Sequence, residues 1–485
     1  MNYGQFLNML PEAALVVVLL VAFFADLLMG KSESKAKTLS AIVKILLLAV
    51  IAVCAFAEPV TAFGGMYVTT PMVNMMKVIL TLGTLIVAIM AQPWIDNSAT
   101  RLVGEFHTLV LSTLLGMFVM MSSGHFLLFF LGLEMASVPM ACLVAFDKKK
   151  QQSAEAAAKY ILTATFSSGV MLYGISFLYG ASGTMYFSDI AHRLQNVVYY
   201  KEMLLLGLVF FFSGLGFKIS LVPFHFWTAD TYQGAPTPIT GYLSVVSKGA
   251  ATLTLFIILQ KVFGPLIDDW SMLLGIVIML SITVGNLMAM RQKELKRFMA
   301  FSSISQAGYI MLAALSNDQQ MGATALSYYV LIYVVANMAV FTVINVVEHN
   351  GVANDSSSLT NMDAYNGFYQ TNPRLAFLMT VALFSLAGIP PFAGMFSKFF
   401  VFMAAAQQGS FLAYFVVFIA LINTVISLYY YLLIVKAMYI KKTTTPLPAF
   451  QSDANSRLAL ALCTAGIVGF GIVSCVYTWL QSAAI

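Results

Sequence analysis

Apolar residues run along this chain in long blocks, each closed by a short polar or charged break. A helix rises about 1.5 Å per residue, so about 20 apolar residues cross a hydrocarbon core roughly 30 Å thick. Against that length the pattern predicts about fourteen membrane-spanning helices, near 11–30, 38–57, 72–94, 105–123, 125–146, 155–180, 203–232, 237–263, 271–290, 297–316, 322–348, 374–407, 410–440 and 457–482. No long polar stretch separates them, so residues 1–485 are expected to form one polytopic domain. The expected fold class is an all-α integral membrane protein.

Two of these stretches, 203–232 and 374–407, are too long for one straight crossing, and each carries proline in its interior. Pro223 stands in SLVPFHFW, and Pro390 with Pro391 in LAGIPPFAGM. Proline removes a backbone donor and clashes with the preceding turn, so both spans are expected to be broken helices. Broken helices persist at membrane depth only inside protein or along a cavity. Interrupted spans in corresponding places suggest two inverted five-helix repeats, 105–263 and 271–440. Three helices in 1–100 precede them and a C-terminal helix at 457–482 follows.

Composition agrees with this picture. Charged residues make up 9% of the chain, against roughly 25% in soluble proteins, and the mean hydropathy is +0.87. The net charge of +5 matters less than where the positives sit. Basic clusters follow odd-numbered spans: Lys31, Lys35 and Lys37; Lys148, Lys149 and Lys150; Arg291, Lys293, Lys296 and Arg297; Lys436, Lys441 and Lys442. Loops after even-numbered spans are poorer in positives, as at Glu58 or at Asp268 and Asp269, with a mixed loop at Ser188 to Glu202. The positive-inside rule then puts the basic loops in the cytoplasm and both termini outside. No basic region precedes the first apolar stretch, which is expected to stay as a helix rather than be cleaved as a signal.

Charged side chains in the middle of spans carry the functional information, because each costs roughly 2.5–3.5 kcal/mol to insert. Four stand out: Glu134 in FFLGLEMASVPM, Lys218 in SGLGFKISLVPF, Lys248 in LSVVSKGAATLT and Lys398 in GMFSKFFVF. A low-dielectric interior favours a neutral lysine, while a nearby carboxylate favours the charged form. Such an amine switches protonation with a small change in neighbouring charge, which an arginine never does. A buried Glu134–Lys218 pair would act as a gate, and water-linked lysines as a relay. The bland alternative is ion pairing that holds helices together, but three lysines against one carboxylate leave positives unpaired.

Two further residues stay open between roles. Lys159 is a second-tier relay candidate, yet Glu155 sits four residues earlier and suits a simple helix pair. His225, just after Pro223, is placed either to bridge Lys218 to Lys248 or to fill the helix break. His107 and His125 are expected at the membrane interface, as are Trp94, Trp270 and Trp479. Cys54, Cys142, Cys463 and Cys475 are isolated and show no metal-ligand spacing. There is no GxGxxG after a strand, no P-loop and no haem motif, so no nucleotide, metal or redox centre is expected in this chain. Energy for pumping would come from a partner.

At these same residues the sequence resembles a known family. The run GFKISLVPFHFWTADTYQGAPTPITGYLSVVSK from Gly216 to Lys248 is similar to the signature of antiporter-like subunits of respiratory complex I, and most of all to the N-subunit family. GLEMASVP around Glu134, KRFMAFSSISQAGY from Lys296 and LFSLAGIPPFAGMFSKF from Leu383 extend the likeness over about residues 105 to 440. The resemblance implies fourteen helices in inverted repeats, with Glu134 the carboxylate paired with Lys218, Lys248 the central lysine and Lys398 the lysine of the second broken helix. It departs at Gln306, where bacterial relatives often carry histidine, so that relay job would pass to water or another side chain.

The resemblance also implies a proton-translocating subunit of NADH:quinone oxidoreductase in a bacterial inner membrane. Flavin, iron–sulfur clusters and quinone would lie in partner subunits. Its expected partners are the other membrane-arm subunits, the peripheral redox subunits indirectly, and the lipid bilayer, with no nucleic acid. Two rivals remain at this stage: a subunit of a multisubunit sodium/proton antiporter, and a membrane scaffold without its own proton path.

Overall fold

A computed structural model of the chain describes residues 3–30, 35–97, 102–196, 201–350, 359–443, 447–473 and 475–484. Lys31 and residues 197–200 of the mixed loop lie outside the described residues. The fold is all-α. Its long helices are α1 (Leu10–Leu28), α2 (Lys35–Phe56), α3 (Pro71–Met90), α4 (Val103–Met121), α5 (Phe126–Val144), α6 (Gln151–Ser182) and α7 (Lys201–Ile219). After the short α8 (Phe226–Gly234) come α9 (Thr237–Val262), α10 (Ile267–Ala289), α11 (Leu295–Met311) and α12 (Gln319–Asn350). The chain ends with α13 (Pro373–Ala387), α14 (Ala393–Ala406), α15 (Phe411–Tyr439), α16 (Ala454–Ile472) and α17 (Cys475–Ala483). Among the described residues, thirteen helices have the length and apolarity to cross a membrane. The two shorter apolar helices α13 and α14 occupy the stretch expected as span 374–407.

Lipid is as apolar as leucine, so hydropathy alone does not sort these helices into inside and outside. The buried polar groups do. Helices α9, α11 and α12 are almost wholly buried and carry Lys248, Ser303, Gln306, Tyr333 and Asn337 at the centre. Helices α1, α2, α15 and α16 lie at the edge and expose Phe23, Ile45, Phe418 and Leu462. Close helix approach is secured by small residues: a Cβ on Gly116 would sit 2.4 Å from the Ala136 nitrogen, and one on Gly132 2.4 Å from the Met120 nitrogen.

Both proline-containing spans are broken, and in each the freed backbone groups find partners, as the membrane interior requires. Helix α7 stops at Ile219, where Ser220 adopts a left-handed conformation with φ of 69°. The Trp227 indole then donates to the Phe217 carbonyl at 3.0 Å, and the Val222 amide donates to Ser281 at 2.9 Å. Helix α13 stops at Ala387. The Gly394 amide donates to Ser385 at 3.2 Å, and the Lys398 ammonium takes the Ala387 carbonyl at 3.0 Å.

Loop contacts separate the two ends of the bundle. Tyr67 bridges to Ser123 and His125 to Tyr186 at one end; Glu294 bridges to Asn361 at the other. The second end also gathers the Gly367 amide on the Ala437 carbonyl (3.0 Å) and Asn372 on the Pro448 carbonyl (2.9 Å). The basic loops around Arg291 and Lys436 therefore share one end.

One expectation needs correction. The C-terminal stretch 457–482 is two helices, α16 and α17, rather than one. Gly471 presses its backbone against the second helix break, where a Cβ would meet the Pro391 oxygen at 2.5 Å, a contact that hydropathy does not register. His107, in the first turns of α4, is buried against α2 and shares a 2.9 Å hydrogen bond with Ser40. Trp270 is likewise buried, its indole donating to the Phe263 carbonyl at 2.9 Å.

Candidate proton-transfer axis

The first break places Lys218 in the last turn of α7, fully enclosed. Its ammonium donates to Ser137 at 2.9 Å and to the Tyr160 hydroxyl at 3.2 Å. Glu134 stands one turn before Ser137 on α5, half-buried, and accepts from Ser168 of α6 at 2.5 Å. The expected direct ion pair between Glu134 and Lys218 is therefore absent. Ser137 and Tyr160 take the ammonium's hydrogens, while the carboxylate turns into the seam between α5 and α6.

Lys248 follows a π-helical turn at Leu243–Ser247 in α9, a distortion frequent at functional sites. Its ammonium donates to Ser303 of α11 at 2.7 Å and lies 5.4 Å over the Tyr232 ring. Lys398, beyond the second break, holds the Ala387 carbonyl and lies 4.9 Å over the Tyr309 ring. All three lysines thus rest on neutral acceptors and aromatic faces rather than on carboxylates.

The segments that carry or adjoin the lysines also hold buried polar atoms without a protein partner. Ser220 Oγ, His225 Nδ1, Thr228 Oγ1, Thr231 Oγ1, Ser247 Oγ, Ser305 Oγ and the Tyr333 hydroxyl are all of this kind. Buried polar groups are nearly always hydrogen-bonded, and those that the protein leaves open ordinarily hold water. They fall on α8, α9, α11, α12 and the first break, the segments that adjoin the lysines.

The second-tier residues separate. His225 stacks on Phe226 with centroids 4.5 Å apart and makes no hydrogen bond to Lys218 or Lys248. Lys159 sits on the surface of α6, paired with Glu155 at 2.7 Å and with Asp230 at 2.8 Å. Asp230 also binds Arg297 at 2.6 Å, so one carboxylate ties α6, α8 and α11 together. Nearby, a cavity of about 210 Å³ opens among Asp147, Lys150, Glu294, Lys296, Glu348 and His349. Burial raises the Glu294 carboxyl above the usual carboxylate range, although Lys296 and the Arg297 amide oppose the shift.

One buried pair escaped the sequence reading. Lys77 of α3 and Glu12 of α1 are both buried and form an ion pair at 2.7 Å. The Tyr67 hydroxyl donates to the same carboxylate at 2.6 Å and Ser122 at 3.1 Å. The signal was present: Lys77 stands inside the expected span 72–94, where the insertion cost that singled out Lys218 applies equally. Lys44 of α2 was missed in the same way and donates to Gln92 at 3.1 Å. Among the described residues no three His, Cys, Asp or Glu side chains are grouped to hold a metal ion.

With this geometry in place, the likeness to known proteins is informative. Residues 123–427, which span both helix breaks and all four charged positions, match the family described as NADH:quinone oxidoreductase/Mrp antiporter, TM. The NADH-quinone oxidoreductase subunit N of Phocaeicola vulgatus is 54% identical over 486 residues, covering 100% of both chains. A chain of respiratory complex I from Thermus thermophilus has a TM-score of 0.79 at 30% identity, over 96% of this chain and 97% of that one. A chain of the Mrp complex from Dietzia sp. DQ12-45-1b reaches a TM-score of 0.82 at 18% identity, over 100% and 97%, which speaks for a common fold alone. The chain belongs to the family of NADH-quinone oxidoreductase subunit N, the antiporter-like membrane subunits of complex I.

Proposed function

We propose that protons cross this complex I subunit by way of Glu134, Lys218, Lys248 and Lys398, in a membrane whose redox chemistry is done by other subunits. The observation that carries the reading is the set of three buried lysines resting on neutral acceptors, on or beside segments whose buried hydroxyls have no protein partner. A charge held only by hydroxyls and a carbonyl responds strongly to a new neighbour. At 4 Å and an effective dielectric of 20 the interaction is about 4 kcal/mol, or about three pKa units. Glu134, which is half-buried and makes no ion pair, is the natural source of that change.

Flavin, iron–sulfur clusters and quinone then belong to partner subunits, and this chain works as the translocase part of the enzyme without a redox site. Its flanks would meet other membrane-arm subunits and lipid, in a bacterial inner membrane. The end bearing Arg291 and Lys436 would face the cytoplasm, with both termini outside. The two broken spans fit a pair of five-helix repeats over 105–263 and 271–440.

The test is a pull-down of the tagged chain from gently solubilised membranes, followed by assay of NADH-dependent quinone reduction and proton uptake. Co-purified flavin and iron–sulfur signals, with proton uptake lost on Lys218→Ala, support the reading. A complex without redox centres would indicate a sodium/proton antiporter. Pumping that survives Lys218→Ala would leave this chain a scaffold.

A further inference from the structure

The long polar side chain that shares a cavity wall with Lys398 is immobilised. Gln306 of α11 accepts from the Tyr329 hydroxyl at 2.5 Å and donates to Tyr431 at 3.2 Å and to the Leu386 carbonyl at 3.3 Å. A primary amide does not titrate near neutral pH, and here both of its ends are occupied.

Tyr333, on the facing helix α12, differs. It is buried, yet its hydroxyl has no hydrogen-bond partner. Ser303, the residue that accepts from Lys248, is near enough to interact with it. Tyr333 also lines a cavity of about 10 Å³ together with Ser397, Lys398, Gln306 and Ala336. That volume is about what one water centre occupies, and a water there would meet several polar groups. Tyr333 is thus a neighbour of the serine that holds Lys248 and a wall of the cavity that Lys398 lines.

We propose that Tyr333, with one water in this cavity, hands the proton between Lys248 and Lys398. The inference rests on the reading of those lysines as a relay. The Ser303 hydroxyl, which now points to the Ala300 carbonyl at 2.8 Å, turns towards Tyr333. Lys248 gives a proton to the Ser303 oxygen as Ser303 passes its own to the Tyr333 oxygen. Tyr333 releases its original proton to the water, and the water protonates the Lys398 amine. Each oxygen gains one O–H bond and loses one, so the net change is one N–H bond broken at Lys248 and one formed at Lys398.

The experiment uses the assembled complex in membrane vesicles, with NADH-driven proton uptake and quinone reduction measured side by side. Tyr333→Phe removes only the hydroxyl and is expected to slow proton uptake at least about tenfold, the scale set by losing a positioned proton-transfer group. Gln306→His, added to Tyr333→Phe, offers an imidazole that donates from one nitrogen and accepts on the other, and is expected to restore most of the loss. Ala336→Val fills the water site while keeping every polar group, and is expected to reproduce the defect. Should Tyr333→Phe fail to assemble, Ala336→Val decides. Wild-type uptake in Tyr333→Phe or in Ala336→Val overturns the relay, as does a Gln306→His background that rescues nothing. Wild-type uptake in Lys398→Ala overturns instead the lysine reading beneath it, so the two failures are distinguishable.

Discussion

Ser137, not Glu134, receives Lys218: the serine stands one turn beyond the glutamate on α5, accepts the Lys218 ammonium at 2.9 Å and gives its own hydrogen to the Leu133 carbonyl at 2.7 Å. Glu134 meanwhile receives a hydrogen bond from Ser168 on the neighbouring helix. A carboxylate held this way can act on the lysine only through space, without a direct ion pair.

Replacing Ser137 by alanine should therefore weaken coupling without removing either charge. The expected result is slower proton uptake with normal assembly, because Tyr160 still holds Lys218 at 3.2 Å. Steady-state uptake in vesicles, measured over a range of pH, is the check. Unchanged rates and an unchanged pH profile would leave Ser137 a packing residue.

The Lys77–Glu12 pair offers a stability test. Removing one member of a buried pair strands the other charge, typically at about 3–5 kcal/mol. Lys77→Met alone is expected to lower the thermal midpoint of the solubilised complex markedly. The double change Lys77→Met with Glu12→Gln should recover most of that loss, since no charge is then left unpaired. Melting of the single variant at the wild-type temperature would argue against the pair.

Asp230 collects Lys159 and Arg297 on one carboxylate. Asp230→Asn should make a subsequent Lys159→Ala nearly silent in thermal stability, because Lys159 has already lost that anchor and keeps only its local pair with Glu155. A double-mutant cycle checks this. Strictly additive losses would mean that Lys159 acts through Glu155 alone.

Glu294 makes stability depend on pH. Burial raises its carboxyl in the folded protein, so the folded state keeps this proton to higher pH than the unfolded chain. The contribution to stability is complete below the unfolded value and is lost as pH rises through the folded one. Glu294→Gln, which keeps an oxygen to accept the Arg297 amide, should gain stability relative to the parent on going from about pH 4 to about pH 8. Melting curves at the two pH values decide, and a constant difference would sink the idea.

The apolar blocks by themselves determined the all-α membrane fold and the approximate course of its long helices, because the bilayer sets one length for every span. The prolines near 223 and 390 marked both breaks, since a missing donor and a steric clash act locally. The insertion cost of charge pointed to Lys218, Lys248 and Lys398 without any knowledge of their neighbours. Only the tertiary structure decided what those side chains touch. That Glu134 turns to Ser168, that Gln306 is pinned at both ends and that the Tyr333 hydroxyl is left open all depend on distances between helices far apart in sequence. The same holds for Glu12 and Lys77, 65 residues apart. Spacing along one helix carries no record of which face meets which partner, because in an apolar solvent the helices are sorted by shape and hydrogen bonding rather than by hydropathy.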